Sequence, residues 1–273
     1  MTEFSDDETL AFLACALASA IAGVLYYLPI IRITRMAGGA LIRLLLTLAP
    51  PLCLLLLLPV LQNFTSHEVR EDEAYVLLFT FGGGVWLAIA VIITHVLGIS
   101  LRDDAIERRN PAAAAVFCGA MLGLTCAYAG ANIGEGATIW MTFGPAVLAT
   151  LVWGAAWLAF GLLTSVSDTI AIDRDLPSAL RLAALLIAVG LILGRAVAGD
   201  YVSPQATFND LITQGWPILP LTLAAAVVQL RARPRAHRRP STATRALLTG
   251  AIYLVTATLW ILLLGAPRLG GRR

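Results

Sequence analysis

The sequence predicts an all-α, polytopic membrane protein with about eight transmembrane helices. The first reason is composition: 59% of the 273 residues are hydrophobic, 13% are charged, and the mean hydropathy is +0.82. A soluble domain carries about 25% charged residues. The second reason is that the apolar residues are grouped into long blocks, each close to the ~20 residues that a helix needs to cross a bilayer.

Eight apolar blocks reach this length. Because the bilayer interior offers no hydrogen bonds to the backbone, we expect each block to be a helix. The blocks are Thr9–Ile31, Gly39–Leu61, Ala74–Ile99, Pro111–Ile133, Thr138–Ser165, Pro177–Gly199, Phe208–Leu230 and Thr242–Ala266. Proline lacks a backbone N–H, so we expect Pro50-Pro51 to kink the second block, and Pro217 and Pro220 to kink the seventh.

Arginine is concentrated in alternate loops. The loops after the first, third, fifth and seventh blocks carry eleven arginines, whereas the opposite loops and both ends carry four. Because cytoplasmic loops are rich in basic residues, we predict that the arginine-rich loops are cytoplasmic and that both termini lie outside. The N-terminal MTEFSDDETL is acidic, unlike a cleaved signal peptide, so we expect the first block to remain as a span. The basic tail at 270–273 argues against this orientation.

The chain divides into four predicted helical hairpins, and the central two resemble each other. The segment AIERRNPAAAAV that begins at Ala105 is echoed 66 positions later by AIDRDLPSALRL, which begins at Ala171. Both hairpins enter from the same side, so we predict a parallel internal repeat. The predicted units are an N-terminal hairpin at 1–73, a core of two repeated hairpins at 74–136 and 137–200, and a C-terminal hairpin at 201–273.

The start of the fourth block carries a recognisable set of residues, namely Asn110, Ala112, Ala113, Phe117, Gly119 and Gly123. This set resembles the Domain of Unknown Function 350 family, the YjfL-like proteins, over about residues 75–200. The resemblance implies a bacterial plasma (inner) membrane location and two parallel hairpins, each preceded by a charged cytoplasmic loop. In the second copy Leu176 stands where the asparagine is expected. The resemblance implies no particular reaction.

The sequence lacks the residues that several kinds of chemistry require. All 19 Lys and Arg positions are arginine, so the chain has no Schiff-base or P-loop lysine. The three histidines form no H-E-x-x-H pattern, and the four cysteines lie in apolar runs without a C-x-x-C pair. The sequence also has no G-x-S-x-G element. We therefore expect no enzymatic activity, no metal, no cofactor and no binding of nucleic acid.

Asn110-Pro111 predicts the start of a helix. Asparagine accepts a backbone N–H bond at the N-cap, and proline at the first helical position needs no donor. Pro177 is the corresponding proline of the second copy. A polar role for Asn110 at a cytoplasmic vestibule is the alternative.

Small residues recur on both repeated helices, at Ala115, Gly119, Gly123 and Ala127 in the fourth block and at Gly190 and Gly194 in the sixth. Small faces let membrane helices approach closely. The pattern predicts a tight contact between the fourth and sixth blocks. A homodimer face is the competing interpretation.

Arg195 lies within the sixth block, about one turn from its predicted outer end. Charged groups at such a depth are costly and usually pair or face water. We predict a polar site of Arg195 with Asn132, Glu135 and Asp210, and a snorkelling arginine is the alternative. Three further arginines near the cytoplasmic helix ends are expected to snorkel, namely Arg43, Arg181 and Arg245.

The last cytoplasmic loop is strongly basic, with Arg231, Arg233, Arg235, Arg238 and Arg239. Each arginine near an anionic membrane surface contributes ~1 kcal/mol of attraction. Two functions stay open: a small transport or conductance unit with a polar path near the repeat axis, or a scaffold or envelope-stress component that recruits a partner through its cytoplasmic loops. The expected partners are the lipid bilayer, a second copy of the chain, or another protein.

Overall fold

The computed structural model describes residues 4–33, 39–136, 138–234 and 242–267. Within these ranges the chain forms helices, and the one β-type pairing is an isolated bridge between Thr65 and Gly134. The helices are α1 (Asp6–Ile33), α2 (Ala40–Asn63), α3 (His67–Glu71), α4 (Glu73–Val96), a π-helix (Leu101–Glu107), α5 (Pro111–Ala131), α6 (Trp140–Thr164), α7 (Val166–Ala171), α8 (Leu176–Val197), α9 (Pro204–Gly215), α10 (Ile218–Ala232) and α11 (Ala243–Leu264). The all-helical class is confirmed.

In the described ranges seven helices are long and apolar enough to cross a membrane, namely α1, α2, α4, α5, α6, α8 and α11. Helices α9 and α10 meet at a bend of 41° and make an eighth span if they are counted together. The seventh predicted block is therefore two helices joined at a bend rather than one helix. The break falls at Trp216-Pro217, where Pro217 cannot donate a backbone hydrogen bond. The chain is a multi-pass membrane protein.

Helices α5 and α8 form the centre of the molecule. In the most apolar window of each, 72% of the residues are buried, against 6% for α1. Their backbones touch through small residues: Gly119 lies against Ala183, Gly123 against Leu186 and Gly190, Gly130 against Gly194, and Gly134 against Gly199. Residue numbers rise together along both helices, so α5 and α8 run in the same direction.

The observed contact between α5 and α8 departs from the predicted stripe of small residues. It follows the 3.6-residue repeat of the helices, whereas the stripe was drawn in steps of four. Gly119, Gly123, Gly190 and Gly194 all lie at the interface, and Ala127 is buried beside Gly194. Ala115 is only partly buried. Because an α-helix has 3.6 residues per turn, steps of four drift by about 40° each. The seam therefore continues at Gly130, which the i+4 pattern had missed.

The other spans pack around this pair in two sets. Helix α2 packs on α5 and α1 packs on α4, whereas α11 packs on α8 and α10 packs on α6. We call the end of the molecule where α5 and α8 begin the cap end. The end where they finish is the distal end.

Two tyrosines of α1 compensate for the proline pair of α2. Pro50-Pro51 cannot donate to the carbonyl groups four residues earlier, on Leu46 and Thr47. The hydroxyl of Tyr26 donates to the Leu46 carbonyl at 2.8 Å, and that of Tyr27 donates to the Thr47 carbonyl at 3.1 Å. These bonds satisfy the freed carbonyls inside the membrane and attach α1 to α2.

We predict that Gly190→Leu destabilises the protein strongly. A Cβ at this position would overlap the backbone of Gly123, which cannot move aside as a side chain can. Overpacking typically costs about 1–3 kcal/mol, and we expect at least that here. The measurement is the melting temperature of the purified protein in detergent.

The matched control for this variant is Gly161→Leu on α6. A Cβ there meets no atom within 4 Å, so its melting temperature should stay at or slightly above that of the wild type. Equal melting temperatures for the two variants would contradict the close α5–α8 contact.

Candidate functional site

Asn110 joins the start of α5 to α7 at the cap end. Its Oδ1 accepts hydrogen bonds from the backbone N–H groups of Ala112 at 3.0 Å and Ala113 at 3.4 Å, which is the expected N-cap. Its Nδ2 donates to the carbonyl of Ile170 in α7 at 2.7 Å. The side chain is fully buried. Both halves of the amide are therefore used, one for the cap and one to hold α7 against α5.

Asp175, rather than Leu176, holds the N-cap position before α8 that Asn110 holds before α5. Asp175 is the N-cap of α8, and its Oδ2 accepts from the backbone N–H of Ser178 at 2.9 Å. The loop hydrogen bonds agree: Asn110 N–H donates to the Asp104 carbonyl, and Asp175 N–H donates to the Thr169 carbonyl. These two loop hydrogen bonds match at an offset of 65 residues, whereas the sequence comparison used 66.

The one-residue error has a simple cause. The sequence comparison aligned Pro111 with Pro177, but Pro111 is the first residue of α5 and Pro177 is the second residue of α8. Proline fits the first turn at either position because its missing N–H would have no partner there. Arg109 and Arg174, each just before the cap, both have positive φ angles, of 51° and 55°.

Arg181 is buried rather than snorkelling, which corrects the sequence prediction. Only 2% of this residue is exposed. Its Nε donates to Oε1 of Gln229 on α10 at 2.9 Å, and its Nη2 donates to Oγ of Ser178 at 3.1 Å. Gln229 Nε2 also donates to Ser178 Oγ, at 2.7 Å. This network attaches α10 to the start of α8, and the polar Gln229 inside an apolar block was its sequence signal.

Arg195 binds three groups at the distal end. Its Nη1 donates to Oε1 of Gln214 on α9 at 3.0 Å. Its Nε donates to the Gly265 carbonyl at 3.0 Å, and its Nη2 donates to the Ala266 carbonyl at 3.2 Å. These two residues follow the C-terminus of α11, where the helix dipole favours a cation. Arg195 therefore connects α8, α9 and α11.

Arg195 also lines a cavity of about 660 Å³ at this end, whose wall holds both polar and apolar residues. Its polar lining includes Arg195, Asp200, Tyr201, Asn209, Asp210 and Gln214. Gln214 Nε2 donates to Oδ1 of Asp210 at 3.2 Å, so the guanidinium and the carboxylate are bridged by one amide. Arg195 and Asp210 thus line one cavity.

The other two predicted members of this site lie elsewhere. Asn132 is the C-cap of α5 and lines a separate cavity of about 40 Å³. Its Nδ2 donates to the Tyr128 carbonyl at 2.8 Å, and its buried Oδ1 has no hydrogen-bond partner among the described residues. Glu135 is exposed, and its backbone N–H donates to Oδ1 of Asp200 at 2.9 Å.

The close contact of α5 and α8 explains why a single four-residue site does not form. The seam continues into the distal loops, where Gly199 N–H donates to the Ile133 carbonyl at 2.8 Å and Tyr201 N–H donates to the Glu135 carbonyl at 2.9 Å. These contacts leave no room for a solute between the two helix ends. The polar side chains of the predicted site therefore lie on either side of the contact between α5 and α8.

The predicted basic loop falls partly outside the described residues. Arg231 is exposed in the last turn of α10, and Arg233 is partly buried just beyond it. Arg235, Arg238 and Arg239 lie outside the described ranges, as does the basic tail at 270–273.

Comparison with known proteins identifies the family. Residues 60–197, which are half of the chain, match the model of the Domain of Unknown Function (DUF350), and the chain belongs to that family. The suspected family is therefore confirmed. No curated protein and no solved structure matched the chain.

We predict that Asn110→Asp destabilises the protein by about 1–3 kcal/mol. Aspartate keeps the acceptor that caps α5 but has no N–H to donate, so its carboxylate would face the Ile170 carbonyl in a buried place. The measurement is the melting temperature in detergent. The control is Asn209→Asp, an exposed position, which should change stability by no more than about 0.5 kcal/mol. Equal losses in both variants would argue against the bond from Asn110 to the Ile170 carbonyl.

Proposed function

We propose that this member of the DUF350 family is a small transport unit that binds a polar solute in the distal-end cavity. The observation that carries the proposal is the position of Arg195, which lies in the last turn of the apolar helix α8 and on the wall of a cavity of about 660 Å³. A charged side chain inside a membrane is costly and is usually retained where it faces water or marks a substrate path.

The bend between α9 and α10 supports the same proposal. The side chains of Asn209, Asp210 and Gln214 on α9 line the cavity, and α9 is separated from α10 by a bend of 41°. Discontinuous helices form the substrate sites of many transporters, because a break frees backbone groups and helix ends to bind polar ligands.

The cavity lining favours a solute that carries both charges. Asp200 and Asp210 supply carboxylates, whereas Arg195 supplies a guanidinium. Among the described residues, three N–H groups of Arg195 donate to protein acceptors. A guanidinium has five N–H groups, so two remain for a ligand. A small zwitterion such as an amino acid matches this arrangement.

We further propose that the two central hairpins are a parallel internal repeat within a core at 74–200. The parallel course of α5 and α8 and the matching loop hydrogen bonds at an offset of 65 residues support this proposal. The hairpins at 1–73 and 201–273 would flank the core. The arginine bias of the loops supports a bacterial inner-membrane orientation with the cap end in the cytoplasm and both termini outside.

A second candidate function is the recruitment of a protein partner at the cap end. Arg102, Glu107 and Arg174 are exposed there on loops that the two helix caps hold in place, and Arg102 pairs with Glu107 at 2.9 Å. An ordered charged surface of this kind suits docking of a protein. Absence of solute flux would favour this candidate.

We predict opposite labelling of the two ends in intact bacterial cells. In a background whose four native cysteines are replaced by alanine, Glu68→Cys at the distal end should react with a membrane-impermeant maleimide. Glu107→Cys at the cap end should react only after lysis. Both positions are exposed on the protein. The reverse pattern would contradict the proposed orientation.

We predict that proteoliposomes containing the protein take up amino acids from a radiolabelled mixture faster than empty liposomes do. Asp210→Asn should reduce this uptake by about tenfold or more, because bonds to a charged group contribute about 1.5–3 kcal/mol. Asparagine can still accept the bond from Gln214, so the cavity should keep its shape.

The control for the uptake experiment is Asp173→Asn, an exposed carboxylate of the cap-end loop. Its uptake should equal that of the wild type. The site assignment is wrong if Asp210→Asn transports as fast as this control. The amino-acid proposal is wrong if the wild type transports nothing from the mixture.

A further inference from the structure

A second large cavity lies between α1, α2 and α4, away from the distal-end site. Its volume is about 360 Å³, within the range of about 300–1,000 Å³ that is typical of small-molecule pockets. Its lining is almost entirely apolar and includes Ala22, Leu54, Leu87, Ala88, Val91 and Met121. An occupant must therefore have an apolar body.

The cavity exists because α1 is attached to α2 mainly near the cap end. Small residues line the space between the helices on the distal side of that attachment. Tyr26 and Tyr27 attach α1 to the bent part of α2 and border the cavity. Gly23, one turn earlier, also lines it, and a Cβ placed on Gly23 would meet no atom within 4 Å. The missing side chain at Gly23 is therefore part of the space.

The cavity opens towards the lipid. Leu25 and Ile92 line it and are nevertheless 65% and 59% exposed on the surface of the spans. In the membrane this surface is covered by acyl chains. An occupant would enter sideways from the bilayer rather than from water.

Arginines lie beyond the cap end of this cavity. Arg32 follows Tyr27 by five residues on α1, which is about 7 Å along the helix. Arg43 precedes Pro50 by seven residues on α2, which is about 10 Å along that helix. Both arginines are exposed. Arg102, next to the lining residue Leu101, is exposed as well but pairs with Glu107.

We propose that this cavity is a binding site for an anionic phospholipid. One acyl chain lies between α1, α2 and α4, and the phosphate group lies at the cap end, where it binds Arg32 and Arg43. Guanidinium groups bind phosphate through bidentate hydrogen bonds. Charge complementarity then selects an anionic head group, because a zwitterionic lipid carries a cation that offsets its phosphate and is repelled by the two arginines. The lipid fills the space beside α1, the span that the protein itself buries least. This site is independent of the proposed transport function.

The test is retention of lipid by the purified full-length protein. Protein reconstituted in vesicles of equal parts phosphatidylglycerol and phosphatidylcholine is extracted in detergent and examined by native mass spectrometry. We expect one phosphatidylglycerol per chain, enriched about tenfold or more over phosphatidylcholine, because two arginines near the phosphate favour the anionic lipid. Equal retention of the two lipids, or no retention of either, would overturn the proposal.

Two variants locate the bound lipid. Gly23→Leu fills the cavity and should retain about tenfold less phosphatidylglycerol, since the acyl chain would compete with the new side chain for the same space. Its matched control is Gly161→Leu, which adds the same side chain on α6 and should retain as much as the wild type. Equal retention by the two variants would place the lipid elsewhere and overturn the proposal.

The double variant Arg32→Gln/Arg43→Gln tests the head-group contact and remains informative if Gly23→Leu fails to fold. Both positions are exposed, so the fold should survive. Retention of phosphatidylglycerol should fall to the level of phosphatidylcholine. An unchanged preference for phosphatidylglycerol would overturn the assignment of these two arginines.

Discussion

The backbone contact between α5 and α8 is the constraint on which the rest of the structure depends. Lipid is as apolar as the helix surfaces, so spans associate through close packing and hydrogen bonds rather than through a hydrophobic driving force. Glycines at 119, 123, 130, 190 and 194 let the two backbones touch from Gly119 to the distal end. The remaining spans are then arranged on the outer sides of this pair, and the axis between the helices is closed to polar solutes.

Because the space between α5 and α8 is closed, the polar groups lie at the two ends of the molecule. The two ends differ in what these groups contact. At the cap end the buried groups bond one another: Asn110 bridges to α7, and Arg181 bonds Gln229 and Ser178. These bonds hold the helix starts in position. At the distal end Arg195 is only partly buried and faces a cavity. We therefore propose that a ligand binds at the distal end.

The sequence predicted those features that depend on local composition. The helical class, the apolar spans, the cap at Asn110 and the glycines at 119, 123, 190 and 194 follow from residue types at short spacing, and the break at Pro217 follows from its missing N–H. Features that depend on which helices become neighbours were not predictable. The burial of Arg181 requires Gln229 from another helix, and the separation of Asn132 from Arg195 requires the seam to continue into the loops. The N-cap at Asp175 was not predicted because the sequence comparison aligned Pro111 with Pro177. Pro111 is the first residue of its helix, whereas Pro177 is the second.

The parallel contact of the two central helices is tested most directly by disulfide formation between their distal ends. In a cysteine-free background, Glu135→Cys and Tyr201→Cys should cross-link readily, because the Glu135 carbonyl accepts a bond from Tyr201 N–H at 2.9 Å and disulfides need Cα atoms within about 7 Å. Glu135→Cys and Arg174→Cys should not cross-link, because α8 separates their ends by about 30 Å. Cross-linking of the second pair instead of the first would mean that α5 and α8 run in opposite directions.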